Sequence, residues 1–227
     1  MSDTSLASAQ AEKKKGFTFV NIIFFVIFGV LTGVLWAYGS PIPLIPGAVH
    51  FRTFAFVIPV IGFLFGPVSG FFAGYIGTVV WSLLGGYFIA PHTLLTDGIT
   101  VALSAALPSL VMFGRKASLD TVIDRIKASK AKFILQSLLW SLLFGCLMIL
   151  ATSFSLSFFT GLDYWYCVIW IGIADVVPIA LTPFIVMLLA PRLKKVVTLV
   201  PRIYPFPFCR GPGRGRRDGG HTAFVSQ

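Results

Sequence analysis

Charge is what this chain has least of. Only 11% of its 227 residues are Asp, Glu, Lys or Arg, and 56% are hydrophobic, whereas a soluble domain carries roughly 25% charged residues. That shortage excludes an ordinary water-soluble globule and leaves the bilayer as the solvent. Acidic residues are scarcer than basic ones, and Glu12 is the one glutamate. The histidines are His50, His92 and His221, with no H-E-x-x-H arrangement. The cysteines, Cys146, Cys167 and Cys209, are scattered. They form no metal-ligand spacing and call for no oxidising compartment. A glycine-rich phosphate loop ending in Lys-Ser or Lys-Thr is also missing, so any use of ATP belongs to a partner.

Long apolar runs are what the chain has instead. Windows of about 20 residues give six candidate spans: Phe17–Tyr38, Phe51–Phe65, Pro67–Phe88, Asp97–Phe113, Phe133–Phe154 and Tyr166–Leu189. The second and fourth are short. None alternates with period two, so they read as helices, which satisfy their own backbone groups in lipid. The polar stretch 1–16 ends in Lys13-Lys14-Lys15 with no convincing cleavage site after it, and so predicts a retained first helix.

The basic residues fix an orientation. All but Arg52 fall in three clusters: Lys13–Lys15, the connection between spans four and five from Arg115 to Lys132, and the segment after span six from Arg192 to Arg217. Six spans put all three on one side, which the positive-inside rule makes the cytoplasm. The expected architecture is therefore an all-α integral membrane protein, a six-transmembrane-helix bundle with both termini cytoplasmic. Residues 1–16 form a cytoplasmic segment, 17–195 the membrane domain and 196–227 a basic tail expected to be disordered. Anionic lipid headgroups, rather than nucleic acid, are the expected partner of this charge. The connection 114–132 reads as an amphipathic helix, with Leu119, Val122, Ile123 and Ile126 on one side. Its simplest place is on the inner leaflet.

Glycines recur every four residues in two places: Gly66, Gly70 and Gly74 in span three, and Gly29 and Gly33, continued by Ala37, in span one. In lipid, helices associate through such small-residue ridges. The first ridge reads as internal packing. The second reads either as internal packing or as a face for a partner subunit.

A few polar residues do not fit a purely structural bundle. Arg52, His50, His92, Asp97 and Asp163 belong to the outer side, and Asp175 lies within span six. Nine residues past Tyr166, it sits about 13 Å deep. A carboxylate at that depth is costly and needs a partner or a wet cavity. Pro178 and Pro183 interrupt the same span. Trp81 and Tyr87 in span three, and Tyr164, Trp165, Tyr166 and Trp170 near the start of span six, read either as an interfacial belt or as stacking surfaces for a flat ligand. The apolar loop Gly39–His50, with its prolines, cannot be helical. It either covers a pocket or packs on the bundle.

The block FRTFAFVIPVIGFLFGPVSGFFAGYIGTVVWSLLGG, followed by PHTLLTDGIT, resembles the substrate-binding S component of energy-coupling factor (ECF) transporters. With the six spans, the basic ends and the small-residue first helix, the resemblance covers roughly residues 17–195. It implies a membrane-embedded subunit of an ABC-type importer in the cell membrane. Such a subunit captures a vitamin or related micronutrient near the outer face, under the loop Gly39–His50, and has no chemistry or cofactor of its own. The implied partners are a transmembrane T component and two ATPase subunits, docked through small residues on the first helix. The matching positions here are Gly29, Gly33 and Ala37, two of them glycine where the family usually has alanine. By their place in the membrane topology, and not by the resemblance, Arg52, Trp81, His92, Asp97, Trp170 and Asp175 are the candidate ligand-binding residues, with no metal site expected. The competing readings are a small integral-membrane enzyme, for which His92 and Asp97 are the available acid–base pair, and an autonomous transporter, which would want an internal repeat.

Overall fold

The computed structural model describes residues 19–39, 42–45, 49–86, 88–114 and 117–199. Tyr87, Arg115, Lys116, the segment 1–16 and the tail beyond Leu199 lie outside the described residues, as do the side chain of His50 and the whole of His221 and Cys209. Helix α1 is Phe19–Gly39. A short antiparallel ladder follows, β1 (Pro43–Ile45) with β2 (Val49–His50). Then come α2 (Val57–Phe65), α3 (Pro67–Gly85), a π-helical segment His92–Asp97 that runs into α4 (Gly98–Phe113), α5 (Leu119–Ala128), α6 (Lys130–Thr160), α7 (Tyr164–Ala180) and α8 (Thr182–Leu199).

Four helical stretches are long and apolar enough to cross a membrane: Pro67–Gly85, His92–Phe113, Lys130–Thr160 and Tyr164–Lys195, the last running through α7 and α8. Their outward faces suit lipid. On α6, Leu135 and Phe154 are each 68% exposed, a surface that water would penalise and acyl chains would not. The short fourth run of the sequence reading gains a turn at its start, because the helix begins before Asp97. The second does not lengthen. Its regular part is the nine-residue α2, about 13 Å long, which is short of the roughly 30 Å hydrocarbon layer.

Glycine explains how a short α2 is held. Gly66, at φ 95°, turns the chain between α2 and α3, a conformation that side chains disfavour. Pro67 then opens α3 at a position where its missing N–H costs nothing. Beyond the turn the backbones nearly touch. A Cβ on Gly70 would lie 2.7 Å from the Cα of Gly62, and one on Gly74 would lie 2.9 Å from the Cα of Ala102 in α4. A Cβ on Gly62 would run into the carbonyl oxygen of Ala105. The Gly66–Gly74 ridge is thus internal packing among α2, α3 and α4. Each glycine is a poor helix former in water, but here the loss is offset by close contact between backbones.

The second ridge is internal as well. A Cβ on Gly29 would lie 2.6 Å from Cβ of Ile76, and one on Gly33 would lie 2.6 Å from Cβ of Val80. Ala37 packs against the core at the same side of α1. The face of α1 turned outward carries Ile27, Leu31 and Val34 instead. Gly29 and Gly33 of the expected partner-docking face are therefore covered by α3 of the same chain. Glycine appears there because α1 and α3 cross too closely for anything larger.

The amphipathic connection also differs from the expectation. Ser118 caps α5 by accepting from the Thr121 N–H, with Thr121 returning the bond to the Ser118 N–H. The apolar side of α5, Leu119, Val122 and Ile123, is buried against Val60, Phe63, Phe133, Val186 and Ala190 rather than laid on a leaflet. Lys194 of α8 donates to Asp120 Oδ1 at 2.8 Å and pins the outer edge of the same helix. Helix α5 closes one end of the bundle. A separate apolar cluster around Trp36, Ile58, Trp81, Met148 and Ile171 fills the half away from α5.

Candidate functional site

Three of the nominated residues converge in that second half. Arg52 precedes α2, Asp97 ends the π-helical segment before α4, and Asp175 lies in α7. Arg52 Nη2 is 3.5 Å from Asp97 Oδ2, and Nη1 is 3.9 Å from Asp175 Oδ2. All three are buried, Asp175 to 1% exposure. The contacts are long for charge-assisted hydrogen bonds, which close to about 2.7–2.9 Å. The arginine is thus shared loosely between two carboxylates instead of being locked to one.

Each position has a local cause. The π-helical segment widens the start of the α4 helix by about one residue per turn, which shifts where side chains point. Its backbone is tied off by Gly98 N–H donating to the Thr93 carbonyl. In α7, Pro178 contributes no N–H, so the carbonyl one turn back, at Ala174 beside Asp175, loses its usual helical donor. Arg52 is held by backbone hydrogen bonds at both flanks, one across the β1–β2 ladder and one in a turn. Phe51 N–H donates to Ile42 O at 2.9 Å, and Ala55 N–H to Arg52 O at 2.9 Å.

The guanidinium lies between two indoles, 4.4 Å from the Trp81 ring centre and 5.4 Å from that of Trp36. Cation–π attraction of this kind is strongest where the cation has shed water. Trp36 Nε1 donates to the Phe54 carbonyl at 3.0 Å, which ties α1 to the segment that carries Arg52. Trp81 belongs to the nominated set, and Trp36 does not. Its signal in the sequence was a tryptophan on the same side of α1 as the glycine ridge, one residue before Ala37.

Among the described residues, the other nominees, His92 and Trp170, make no hydrogen bond or ion pair with Arg52, Asp97 or Asp175. His92 Nδ1 is 3.1 Å from Ser155 Oγ of α6, a contact between the start of the α4 helix and a neighbouring helix. Trp170 is partly buried against the core cluster, with its ring 6.1 Å from that of Tyr166. Trp165 and Tyr166 face outward, as belt residues do. Asp163 caps α7 by accepting from Tyr166 N–H at 2.8 Å. Among the described residues, no group of three His, Cys, Asp or Glu side chains is arranged to hold a metal ion.

A cavity of about 10 Å³ opens beside the charges, roughly the room of one water. Its lining includes Arg52, Asp175, Trp36, Ser104, Ser141 and Met148. Comparison with protein-family models, curated proteins and solved structures finds no match. Asp97 Oδ1, both carboxylate oxygens of Asp175 and Ser141 Oγ are buried with no hydrogen-bond partner among the described residues. Buried polar atoms are usually satisfied. A cluster of unsatisfied acceptors around one shared cation can therefore take up donors or cations from outside the chain.

Proposed function

We propose that this chain is a membrane-embedded substrate-binding subunit, of the kind the ECF S components represent. It captures a small charged micronutrient at the outer face of the cell membrane for uptake driven by partner ATPases. In this reading the six apolar runs all cross the membrane, and both termini lie in the cytoplasm. The second run crosses by the short α2 together with the non-helical segment before it, which is covered by protein rather than lipid. The observation that carries it is the Arg52–Asp97–Asp175 cluster. A bundle that needed only stability would do as well with apolar residues there, because buried ion pairs rarely out-stabilise well-packed hydrophobic ones. Charged groups inside membrane segments instead tend to mark ligand and ion pathways.

The pairing suits a ligand with both charges. Its anionic group takes the place of a carboxylate on Arg52, and its cationic group takes the carboxylate released. Trp36 and Trp81 supply flat faces beside it. The cavity has room for about one water, so a vitamin-sized ligand enters only when the Arg52 segment moves away from α3 and α7. Docking onto a T component, in turn, uses a face other than the Gly29–Gly33 side of α1, which α3 covers.

The test is mass spectrometry of small molecules released from gently purified protein, followed by thermal unfolding against a panel of vitamins and amino-acid-like compounds. A stoichiometric compound whose binding is lost in Arg52→Met supports the reading. If no compound is released and none in the panel raises the melting temperature, the capture reading falls.

A further inference from the structure

The charges of the buried cluster do not balance. Arg52 supplies one positive charge, and Asp97 and Asp175 supply two negative ones if both are ionised. The side chains packed round them do not make up the difference. Trp36 from α1, Trp81 from α3, Ser104 from α4, and Ser141 and Met148 from α6 carry no charge near neutral pH. Cys167, about two turns before Asp175 on α7, is a thiol, a group that ordinarily gives up its proton only near pH 8.5 and then adds a negative charge. His92 shares the π-helical segment with Asp97 but is bonded to Ser155, and an ordinary imidazole is mostly neutral above about pH 6.5. Two ionised carboxylates would therefore leave one charge uncompensated in a dry interior. Such a group neutralises itself rather than bear the cost of burial.

The two carboxylates are not equivalent. Asp97 Oδ2 accepts from Arg52 Nη2 at 3.5 Å. Asp175 stands further from the guanidinium, at 3.9 Å, and neither of its oxygens has a hydrogen-bond partner among the described residues. It is also 1% exposed and lies in the interior of a helix, three residues before Pro178. The water-sized cavity that it lines is rich in acceptors. Ser141 Oγ is buried there without a partner, and the Ser104 hydroxyl donates its proton to the Val101 carbonyl at 2.8 Å, which leaves its own oxygen as an acceptor. A neutral carboxyl offers an O–H to such a space, whereas a carboxylate offers none. Buried carboxyls that keep their proton to about pH 8–9 are known, so burial is strong enough to hold one here at neutral pH.

We infer that Asp175 is a proton-binding site: at neutral pH it is a neutral carboxylic acid turned to the cavity it shares with Ser141, and Asp97 is the ionised partner of Arg52. The proton supplies the positive charge that the cluster lacks. In the capture reading, the cationic group of the ligand takes the place of this proton. The site itself does not depend on that reading and is measured with no ligand added.

The experiment is infrared spectroscopy of the full chain at pH 7, with carbon-13 at the aspartate side-chain carboxyls, in a maltoside detergent that has no carbonyl of its own. The expected spectrum holds the carbonyl stretch of one neutral carboxylic acid per chain, shifted by the label. Asp175→Asn should lose that band. Asp97→Asn should lose it too, because Arg52 then balances the one carboxylate left, and this variant serves where Asp175→Asn does not fold. Ser141→Ala, which changes the cavity beside Asp175 and not the surroundings of Asp97, should keep the band and shift its frequency. His92→Gln should leave it in place. A wild-type spectrum without the band overturns the inference. So does a band that persists in Asp175→Asn, and so does one that Ser141→Ala leaves unmoved, which would put the proton elsewhere. A band that appears only in His92→Gln would show that a charged histidine supplies the missing charge, and overturns it as well. Absence of the band alongside a released micronutrient would remove the proton and leave the capture reading standing.

Discussion

Asp97 and Asp175, from different helices, present their Oδ2 atoms to the same guanidinium, that of Arg52, at 3.5 and 3.9 Å. Sharing one cation between two buried acids makes Arg52 the residue on which both depend. Arg52→Met should therefore destabilise the bundle by about 3–5 kcal/mol, the usual result of stranding a buried charge. The triple change Arg52→Met, Asp97→Asn, Asp175→Asn should recover most of that loss while abolishing ligand binding. Denaturant unfolding in mixed micelles, run beside a ligand-binding assay, checks both. A triple variant no more stable than Arg52→Met would mean that the cluster is not an electrostatic unit.

Trp36 acts on the same segment through a different contact. Trp36→Phe keeps an aromatic face but removes the hydrogen bond to the Phe54 carbonyl. That carbonyl still accepts from the Val57 N–H at 3.0 Å, so the loss is that of one ordinary hydrogen bond, about 0.5–1.5 kcal/mol. The expected outcome is a lower melting temperature together with weaker ligand binding. Trp165→Phe, on the exposed start of α7, should change neither.

The α1–α3 crossing predicts a stability effect where docking alone would predict none. Gly33→Leu must push Val80 aside and approaches the Gly77 carbonyl, which lies 2.8 Å from the added Cβ position. A loss of about 1–3 kcal/mol is expected from overpacking, with no partner present. Unchanged unfolding of the isolated chain would show that α1 is not held against α3 in this way.

At the α5 end, the cap and the ion pair should behave differently. Ser118→Ala removes a reciprocal cap and should cost about 1 kcal/mol. Lys194→Met breaks the bond to Asp120, but both side chains are nearly half exposed. The expected change there is below about 1 kcal/mol and smaller still in high salt. Chemical denaturation of the two variants at low and high ionic strength separates them.

Composition alone pointed to the bilayer as the solvent. Runs of apolar residues with few charges make helices of membrane-spanning length, and α3, the α4 helix, α6 and the α7–α8 pair lie where hydropathy placed them. The cost of burying Asp175 was also legible, because any carboxylate within an apolar span needs a partner. Spacing could not say which way a small-residue ridge faces. Gly29 and Gly33 permit close approach on any side, and only the packing of α1 on Ile76 and Val80 chose α3. The amphipathic pattern of α5 likewise fitted a leaflet or a protein surface equally well, until Phe63, Phe133 and Val186 were brought beneath it. The meeting of Arg52, Asp97 and Asp175 belongs wholly to the tertiary structure. Their attraction acts across helices distant in sequence, and no local propensity or period records a contact of that kind. The same holds for Ser141 and Ser104, which are ordinary helix residues in the sequence and line one cavity with Asp175 only in the tertiary structure.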